Sequence, residues 1–431
     1  MKNLLKFIGI VSLTCTINAQ EVYTVDQLIV KSLENSPDIQ ISRLEYDASK
    51  QRYETAFSNY LPKIDAIGSA GYLSQDSVAT PPTPEVDDSY LAGKLTLKQL
   101  IYDFGKTGGT TDVQKFASES YFMKNMQKIS DKKRDVKNSY YTVLKAKALI
   151  DVQKENVKLN QAQLYRSKKY FEAGIRTKID ISDAEVRLIK AKLELRKAQY
   201  NLKLAYADLD KVIGVVRLES SYDVYSEKLN LDTIYDSLSA YDLTLKDSIL
   251  YAYENRYEVK QVLASIKAKQ SDITSVTGEY YPSAYFDANY NYQSFNDPQI
   301  SIPENKWNAS VNLSWNLYQG GSTNAKKQEK IINANISSSQ LLETKLYIKK
   351  STTSAYINVN KTKDTVELDQ GLVQVSIEKF DQASKRYEHG LSDYIELQEA
   401  RQGYIDSKAT LIVDYYNYYI AVTNLNNAIG R

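Results

Sequence analysis

Two pairs of acidic residues are the side chains in this sequence whose type and spacing suggest chemistry. Asp180 and Asp183 lie three residues apart, which is close to one helical turn, and Glu396 and Glu399 repeat that spacing 216 positions later. Acidic side chains at the start of a helix accept hydrogen bonds from free backbone amides and interact favourably with the helix dipole. Helix capping is therefore the first interpretation of residues placed in this way.

The first acid of each pair has the sequence spacing of a capping box. Thr177 precedes Asp180 by three residues, and Asp393 precedes Glu396 by three. In a capping box, each side chain of such a pair bonds the backbone amide of the other residue. Capping alone and a second role both remain open for Asp180 and Glu396, whereas the second acid of each pair lies one turn further into the helix than a cap requires.

The sequence lacks the residue combinations that enzymes use. No nucleophile and base pair, phosphate-binding loop or metal-ligand spacing is present. His389 is the sole histidine and is interpreted as a surface residue, and Cys15 is the sole cysteine, so a metal site would have only carboxylates as ligands. The 55 basic and 53 acidic residues give no charge excess that would favour nucleic acid. We expect no catalytic residue, metal, cofactor or nucleic-acid partner.

The acidic pairs belong to a long helix that occurs twice. Tyr170–Gly214 is matched without a gap by Arg386–Gly430, with Gly174 opposite Gly390. In the first copy, apolar residues recur at alternating spacings of three and four between Ile181 and Val212, which predicts a coiled-coil helix. Glycine adopts positive φ at helix C termini, so Gly174 and Gly390 are predicted to turn the chain ahead of each coiled helix.

One residue of the second copy departs from this coiled-coil pattern. Asp414 occupies an apolar position of the pattern, where the first copy has Ala198. Three interpretations stay open: the carboxylate faces a lumen, it pairs across helices, or it marks a point where the second coil is loose.

Residues 1–19 have the layout of a secretory signal peptide, with two lysines, an apolar run and a small residue at the end. We expect a mature chain that begins near Gln20 and contains no cysteine. Acylation of Cys15 is the less favoured alternative, because Thr14 precedes it where a smaller residue is expected. No later run of about 18 apolar residues predicts a transmembrane helix, so contact with a membrane would have to be made by strands.

After this leader the chain consists of two similar halves. The first half is 20–214 and the second is 242–431, with a polar connector at 215–241. Each half is predicted to contain a helix, a β-hairpin, a long helix and a shorter coiled helix. The predicted boundaries are 63–102 and 283–318 for the hairpins, 106–172 and 322–388 for the long helices, and 177–213 and 393–429 for the coiled helices.

Prolines and glycines punctuate the junctions between helices and strands. Pro62 and Pro282 end the helices that precede the hairpins, since proline cannot continue a helix. Gly105 and the pair Gly320 and Gly321 follow the hairpins and are predicted to turn each strand into a long helix.

The hairpins alternate strictly between apolar and polar residues. In the second hairpin one face is wholly apolar and the other wholly polar, with aromatic residues such as Tyr290, Trp307 and Trp315 on the apolar face. Strands with this alternation and aromatic flanks are what an outer-membrane barrel needs. Four strands cannot close a barrel, and an open edge in lipid leaves backbone groups unsatisfied. The chain should therefore complete a barrel with copies of itself.

The helix lengths are compatible with a cylinder of helices. A helix of about 67 residues spans about 100 Å, and the two shorter helices of each half together are about as long. All helices can then run side by side. This length is suited to crossing much of a periplasm.

The duplicated plan and the motif Gly174-Ile175-Arg176-Thr177 with Asp180 and Asp183 resemble the TolC family of outer-membrane efflux proteins, over nearly the whole mature chain. The resemblance implies a mainly α fold with a membrane β part. Three copies would supply four strands each to a 12-stranded barrel in the outer membrane of a Gram-negative bacterium, with long coiled-coil helices forming a periplasmic α-barrel and 215–241 an equatorial connector.

The function implied by the resemblance is that of an exit duct for a tripartite efflux pump or a type I secretion system. Such a homotrimer docks to a periplasmic adaptor (membrane fusion) protein and works with an inner-membrane transporter of the RND, ABC or MFS type. The inner-membrane partner selects the cargo, so the sequence does not predict the substrate. The alternative is a structural trimeric coiled-coil stalk or adhesin, which would explain the coiled helices but not the lipid-facing hairpins.

The resemblance also implies roles for individual residues. Asp180, Asp183, Glu396 and Glu399 would form a constriction at the tunnel entrance that favours cations, with 12 carboxylates in a trimer. The pore is the favoured role for the second acid of each pair, because capping does not need it. Arg176 would help to hold the entrance shut. The turns that receive the adaptor would contain Gly174, Gly390 and Thr177.

Overall fold

A computed structural model describes residues 21–75, 86–216, 222–227, 229–238, 241–296 and 305–431. The predicted signal peptide and Cys15 lie outside the described residues, as does part of the connector. In chain order the helices are α1 (Val25–Asn35), α2 (Pro37–Phe57), α3 (Lys106–Glu172), α4 (Lys178–Ile213), α5 (Leu245–Asn255), α6 (Tyr257–Gly278), α7 (Ser322–Glu388) and α8 (Tyr394–Ile429). The strands are β1 (Glu21–Tyr23), β2 (Lys63–Gln75), β3 (Val86–Tyr102), β4 (Tyr222–Val224), β5 (Ser283–Phe295) and β6 (Asn305–Ser314).

The long helices have the predicted boundaries. α3 and α7 each contain 67 residues, and α4 and α8 each contain 36. None of the helices in the described part of the chain is long and apolar enough to cross a membrane. The described residues divide into two compact units. One contains the residues up to Ser36 with Lys132–Tyr241 and Asn358–Thr423, and the other contains Pro37–Asp131, Asp242–Ile357 and Asn424–Arg431.

The single helix predicted ahead of each hairpin is wrong, because each is two helices. α1 and α2 are separated at Ser36, whose backbone is extended with ψ of 122°. Pro37 explains this break, since the residue before a proline is pushed out of the helical region. α5 and α6 are separated at Arg256, also extended with ψ of 133°, although no proline follows.

The glycines at the ends of the coiled helices lie against these breaks. A Cβ atom added to Gly214 would be 2.8 Å from the carbonyl oxygen of Asn35, and one added to Gly430 would be 3.1 Å from the carbonyl carbon of Asn255. Both glycines have positive φ, 74° and 85°. The α4 end thus packs on the break between α1 and α2 within one unit, and the α8 end packs on the break between α5 and α6 within the other.

Four strands form one antiparallel sheet in the order β2, β3, β5, β6. The two hairpins are therefore joined edge to edge through β3 and β5. The second hairpin is shorter than the predicted 283–318, since β6 ends at Ser314. Ser314 is paired with Ser283, the first residue of β5, so the segment after it has no strand to pair with in the described chain.

The register aligns apolar side chains across all four strands. One row joins Ala66, Leu95, Tyr290 and Trp307, and the next apolar row joins Ile64, Leu97, Ala288 and Ala309. The intervening row is polar and joins Asp65, Thr96, Asn289 and Asn308. The apolar face is exposed in the single chain, with 77% of Trp307 and 67% of Val311 accessible. An apolar face of this size needs a cover, because burial of apolar surface is favourable.

The strand-to-helix junctions use the predicted residues. Gly105 has φ of 85°, and Gly320 and Gly321 have φ of 61° and 81°. Asp103 is buried and accepts a hydrogen bond from the Thr107 amide at 2.7 Å, which caps the start of α3. Pro62 and Pro282 directly precede β2 and β5. Proline and glycine therefore occupy the junctions where the chain changes from one backbone conformation to the other.

Candidate functional site at the glycine turns

Two turns connect the long helices to the coiled helices. Gly174 has φ of 71° and Gly390 has φ of 72°. The Ile175 amide donates to the Tyr170 carbonyl at 2.9 Å, and the Leu391 amide donates to the Arg386 carbonyl at 2.8 Å. These bonds close the helix ends in the manner of a Schellman motif, in which glycine supplies the left-handed residue. The predicted conformational role of both glycines is present, and their role in docking a partner stays a prediction.

The first coiled helix begins with the predicted cap. The Thr177 backbone amide and its hydroxyl both donate to the Asp180 Oδ2 atom at 3.0 Å. Asp180 is half-buried and belongs to the first turn of α4. The carboxylate therefore satisfies a backbone amide that the helix itself leaves free.

The second coiled helix begins differently. The Glu396 backbone amide donates to the Asp393 Oδ1 atom at 2.8 Å, so Asp393 provides the cap. The carboxylate of Glu396 instead forms an ion pair with Arg386, with 3.1 Å between Oε1 and Nη1. The capping box predicted for Asp393 and Glu396 is thus only half formed. The physical reason is that a cationic side chain at the end of α7 competes with the backbone amide for the same carboxylate.

The second acid of each pair is exposed to solvent. Asp183 and Glu399 both have accessible side chains on the second turns of α4 and α8. Burial raises the pKa of the neighbouring Tyr394, and the negative charge of Asp183 adds to that effect. Both carboxylates are available to ions in solution. The structure of one chain does not bring them into a ring, and their pore role stays a prediction.

Arg176 contacts the end of α7 across the turn region. Its guanidinium lies 5.2 Å from the ring centre of Tyr387, which is a cation–π distance. Only 2% of Tyr387 is exposed, and burial raises its pKa whereas the charge of Arg176 lowers it. Arg176 therefore ties the turn of the first half to the last turn of the long helix of the second half, within one unit of the chain.

An aromatic and small-residue core lies beneath these turns. It consists of Ala383, Tyr387, Tyr394, Leu397 and Ala400, with Tyr170 and Phe380 packed against it. The guanidinium of Arg187 lies 5.7 Å from the ring centre of Tyr394. The turns are thus supported by aromatic packing from α3, α7 and α8 rather than by the acidic residues.

Sequence reasoning missed a buried arginine below this core. Arg401 is 5% exposed and donates to the Leu159 carbonyl at 3.3 Å, to Asn160 Oδ1 at 2.7 Å and to Gln398 Oε1. Burial lowers its pKa to about 10. The first half has Glu185 at the equivalent position, so repeat symmetry gave no hint of a buried cation. The polar run of Asn156 and Asn160 on α3 was the available signal.

No group of three or more histidine, cysteine, aspartate or glutamate side chains that could hold a metal occurs in the described ranges. His389 lies in the helix-ending turn just before Gly390 and is exposed. Asp414 lies on α8 and faces Asp369 of α7, so pairing across helices, one of the three interpretations, is the one that the structure supports.

Known proteins resemble this chain over almost its whole length. The toluene efflux pump outer membrane protein TtgC of Pseudomonas putida is 22% identical over 413 residues, which cover 94% of this chain and 82% of that protein. The outer membrane protein TolC of Vibrio cholerae is also 22% identical, over 96% of this chain and 90% of that protein. A crystal structure of CusC has a TM-score of 0.82 at 16% identity, covering 94% of this chain and 92% of that one.

These similarities agree with the architecture described above. The likeness to CusC shows that the fold is that of the TolC-like channels, as the sequence predicted. The family model described as "Outer membrane efflux protein" matches residues 28–215 and 249–431, which is most of the chain and includes both halves. The chain therefore belongs to the outer membrane efflux protein family.

Proposed function

We propose that this protein is the outer-membrane exit duct of a tripartite efflux pump or a type I secretion system. The observation that carries the proposal is the four-stranded sheet, whose apolar rows run unbroken from β2 to β6 and are exposed in the single chain. Lipid is the cover that such a face needs in an outer-membrane protein. Membership of the outer membrane efflux protein family supports the same location.

The duct is a homotrimer. The sheet ends at β2 on one side and β6 on the other, and neither edge has a partner strand in the described chain. In lipid an open edge would leave a row of backbone amides and carbonyls unsatisfied. Joining β6 of one copy to β2 of the next removes every edge, and three copies give a closed barrel of 12 strands, within the range of known barrels.

The periplasmic ends of the helices form the entrance and bind the partners. Asp180, Asp183, Glu396 and Glu399 lie on the first two turns of α4 and α8, so a trimer carries 12 carboxylates there. Arg176 holds the entrance closed through its contact with Tyr387. The exposed turns at Gly174, Thr177 and Gly390 receive a periplasmic adaptor (membrane fusion) protein. An inner-membrane transporter of the RND, ABC or MFS type supplies the cargo.

Planar bilayers test the duct. The purified protein should insert as a trimer and conduct ions, whereas a stalk or adhesin would form trimers without conductance. Replacing both Asp183→Asn and Glu399→Gln should shift the reversal potential in a salt gradient toward zero, because the carboxylates that concentrate cations are lost. Asp406→Asn, which removes an exposed acid further along α8, is the matched control.

If the double variant conducts as a trimer with an unchanged reversal potential, the proposed duct stands and the proposed constriction is wrong. Arg176→Ala should raise the fraction of time that the channel is open, since the contact with Tyr387 is lost.

Crosslinking in intact cells at Thr177, followed by identification of the captured protein, tests adaptor docking. Capture of an adaptor at Thr177 but not at a site on the sheet would support it.

A further inference from the structure

A pair of facing carboxyl groups joins α7 to α8 away from the glycine turns. Asp369 of α7 and Asp414 of α8 lie within hydrogen-bonding reach of each other, and both side chains are half-buried. The Asp369 Oδ2 atom is fully buried and no donor reaches it in the described structure. A buried carboxylate oxygen without a donor is costly. When both carboxyls are ionised, the Asp369 Oδ2 atom therefore still needs a hydrogen-bond donor.

Around the pair, a side-chain amide donates to Asp414, whereas no donor reaches the Asp369 Oδ2 atom in the described residues. The Asn417 Nδ2 atom donates to Asp414 Oδ1 at 3.1 Å. From α3, the Lys145 Nζ atom donates to Asn417 Oδ1 at 3.3 Å, and its charge acts on Asp414. Burial lowers the pKa of Lys145, and the charge of Asp414 opposes that effect. Lys145 and Asn417 thus stabilise the carboxylate of Asp414, and the carboxyl of Asp369 faces that negative charge.

Two ionised carboxylates are both acceptors and repel each other. A single proton between them changes one into a donor, so the same contact becomes a hydrogen bond from α7 to α8. We propose that Asp369 and Asp414 form a proton-dependent clasp between α7 and α8, which is closed by one shared proton and weakened when both carboxyls ionise. This proposal is independent of the proposed transport function.

Burial and the facing carboxyl of Asp414 place the change at mildly acidic pH. Burial, followed by the hydrogen bond and charge of Asp414, raises the pKa of Asp369 from its ordinary value of 3.8 to about 6. Between about pH 4 and about pH 6, Asp369 therefore stays protonated in the folded chain but is ionised in the unfolded chain. Stability should rise as the pH falls from above about 6 toward about 4, and should be lost again as the pH rises through about 6.

The first half of the chain lacks the pair. Its equivalent positions hold Gln153 and Ala198, which cannot ionise. The clasp is thus a feature of the second half alone. It also explains the departure of Asp414 from the apolar coiled-coil pattern, because a carboxyl at that position gains a partner on α7 instead of an apolar contact.

Thermal unfolding of the full-length protein in detergent tests the clasp. Helical circular dichroism would be followed between about pH 4.5 and about pH 7.5. Wild type should melt at a lower temperature as the pH rises through about 6. Asp369→Asn should melt at a higher temperature than wild type at the upper pH and lose this pH dependence, because its amide donates to Asp414 at every pH. Asp364→Asn removes an exposed acid from the same helix and should keep the wild-type profile.

Infrared difference spectra provide a second readout. Wild type minus Asp369→Asn should contain a protonated-carboxyl band at about pH 5 that disappears above about pH 6. If Asp369→Asn fails to fold, Asp414→Ala is used in both measurements. This variant has the alanine that the first half has at the equivalent position. A wild-type profile without a step near pH 6, or the same step in the variant, would overturn the proposal. Stabilisation of wild type but not the variant by calcium at the upper pH would also overturn it, in favour of a metal site.

Discussion

The two helical turns have the same backbone and different side-chain chemistry. Gly174 and Gly390 have φ values within a degree of each other, and each turn closes with the same amide-to-carbonyl bond. In the first turn, however, Asp180 caps its helix, whereas in the second Glu396 pairs with Arg386. The turn therefore needs its glycine and some acceptor for the free amide, while the charges around it differ between the halves.

The largest expected difference between the halves concerns the buried arginine. Arg401→Ala should lower the free energy of unfolding by about 3 kcal/mol, because it leaves the buried amide oxygens of Asn160 and Gln398 without a donor. Glu185→Ala, at the equivalent position of the first half, should change it by less than about 1 kcal/mol, since Glu185 is exposed. Denaturant unfolding measures both. Equal changes in the free energy of unfolding for the two variants would mean that the hydrogen bonds of Arg401 do not stabilise the fold.

Alanine substitutions at glycines should separate the energetic cost of positive φ from that of steric contact by the added Cβ atom. Gly174→Ala and Gly390→Ala should each cost about 1 kcal/mol, because an added Cβ meets no atom within 4 Å and only the positive φ opposes it. Gly214→Ala should cost more, since its Cβ would also lie 2.8 Å from the Asn35 carbonyl oxygen. Gly403→Ala, within α8 and without positive φ, should stabilise by up to about 1 kcal/mol. Melting temperatures that rank these variants in another order would contradict this separation.

The smallest expected difference is between the two first-turn acids. Asp180→Ala should cost about 1 kcal/mol through loss of the cap. Glu396→Ala should cost about 0.3 kcal/mol, because its ion pair with Arg386 is exposed and Asp393 still caps the helix. Thermal unfolding at low and high salt distinguishes them, since only the effect of Glu396→Ala should shrink as salt screens the pair. Similar costs for the two variants would show that the turns are equivalent after all.

Much of the architecture could be predicted because it depends on local patterns. The long helices, the coiled helices and both hairpins follow from apolar periodicity and from proline and glycine at the junctions. The family resemblance then supplied the assembly and the transport role. The break at Ser36 could have been predicted from Pro37, but the break at Arg256 has no comparable local signal, because it is supported by packing against Gly430.

The candidate site was predicted less completely than the fold. The glycine turns and the Thr177 cap follow from short-range spacing, whereas the pairing of Arg386 with Glu396 depends on how the end of α7 approaches the start of α8. The contact between Arg176 and Tyr387 joins residues more than 200 positions apart. No local pattern could have indicated which cation lies over which ring.

Local sequence sets where this chain turns and which face of each strand is apolar, because both depend on the conformational limits of single residues and on periods of two to four positions. The burial of charged side chains depends instead on tertiary packing. Arg401 is buried, and Asp369 is half-buried with its Oδ2 atom fully enclosed, because of the helices that pack against them. Burial, and with it the pKa of a side chain, is a property of the packed neighbours rather than of the residue.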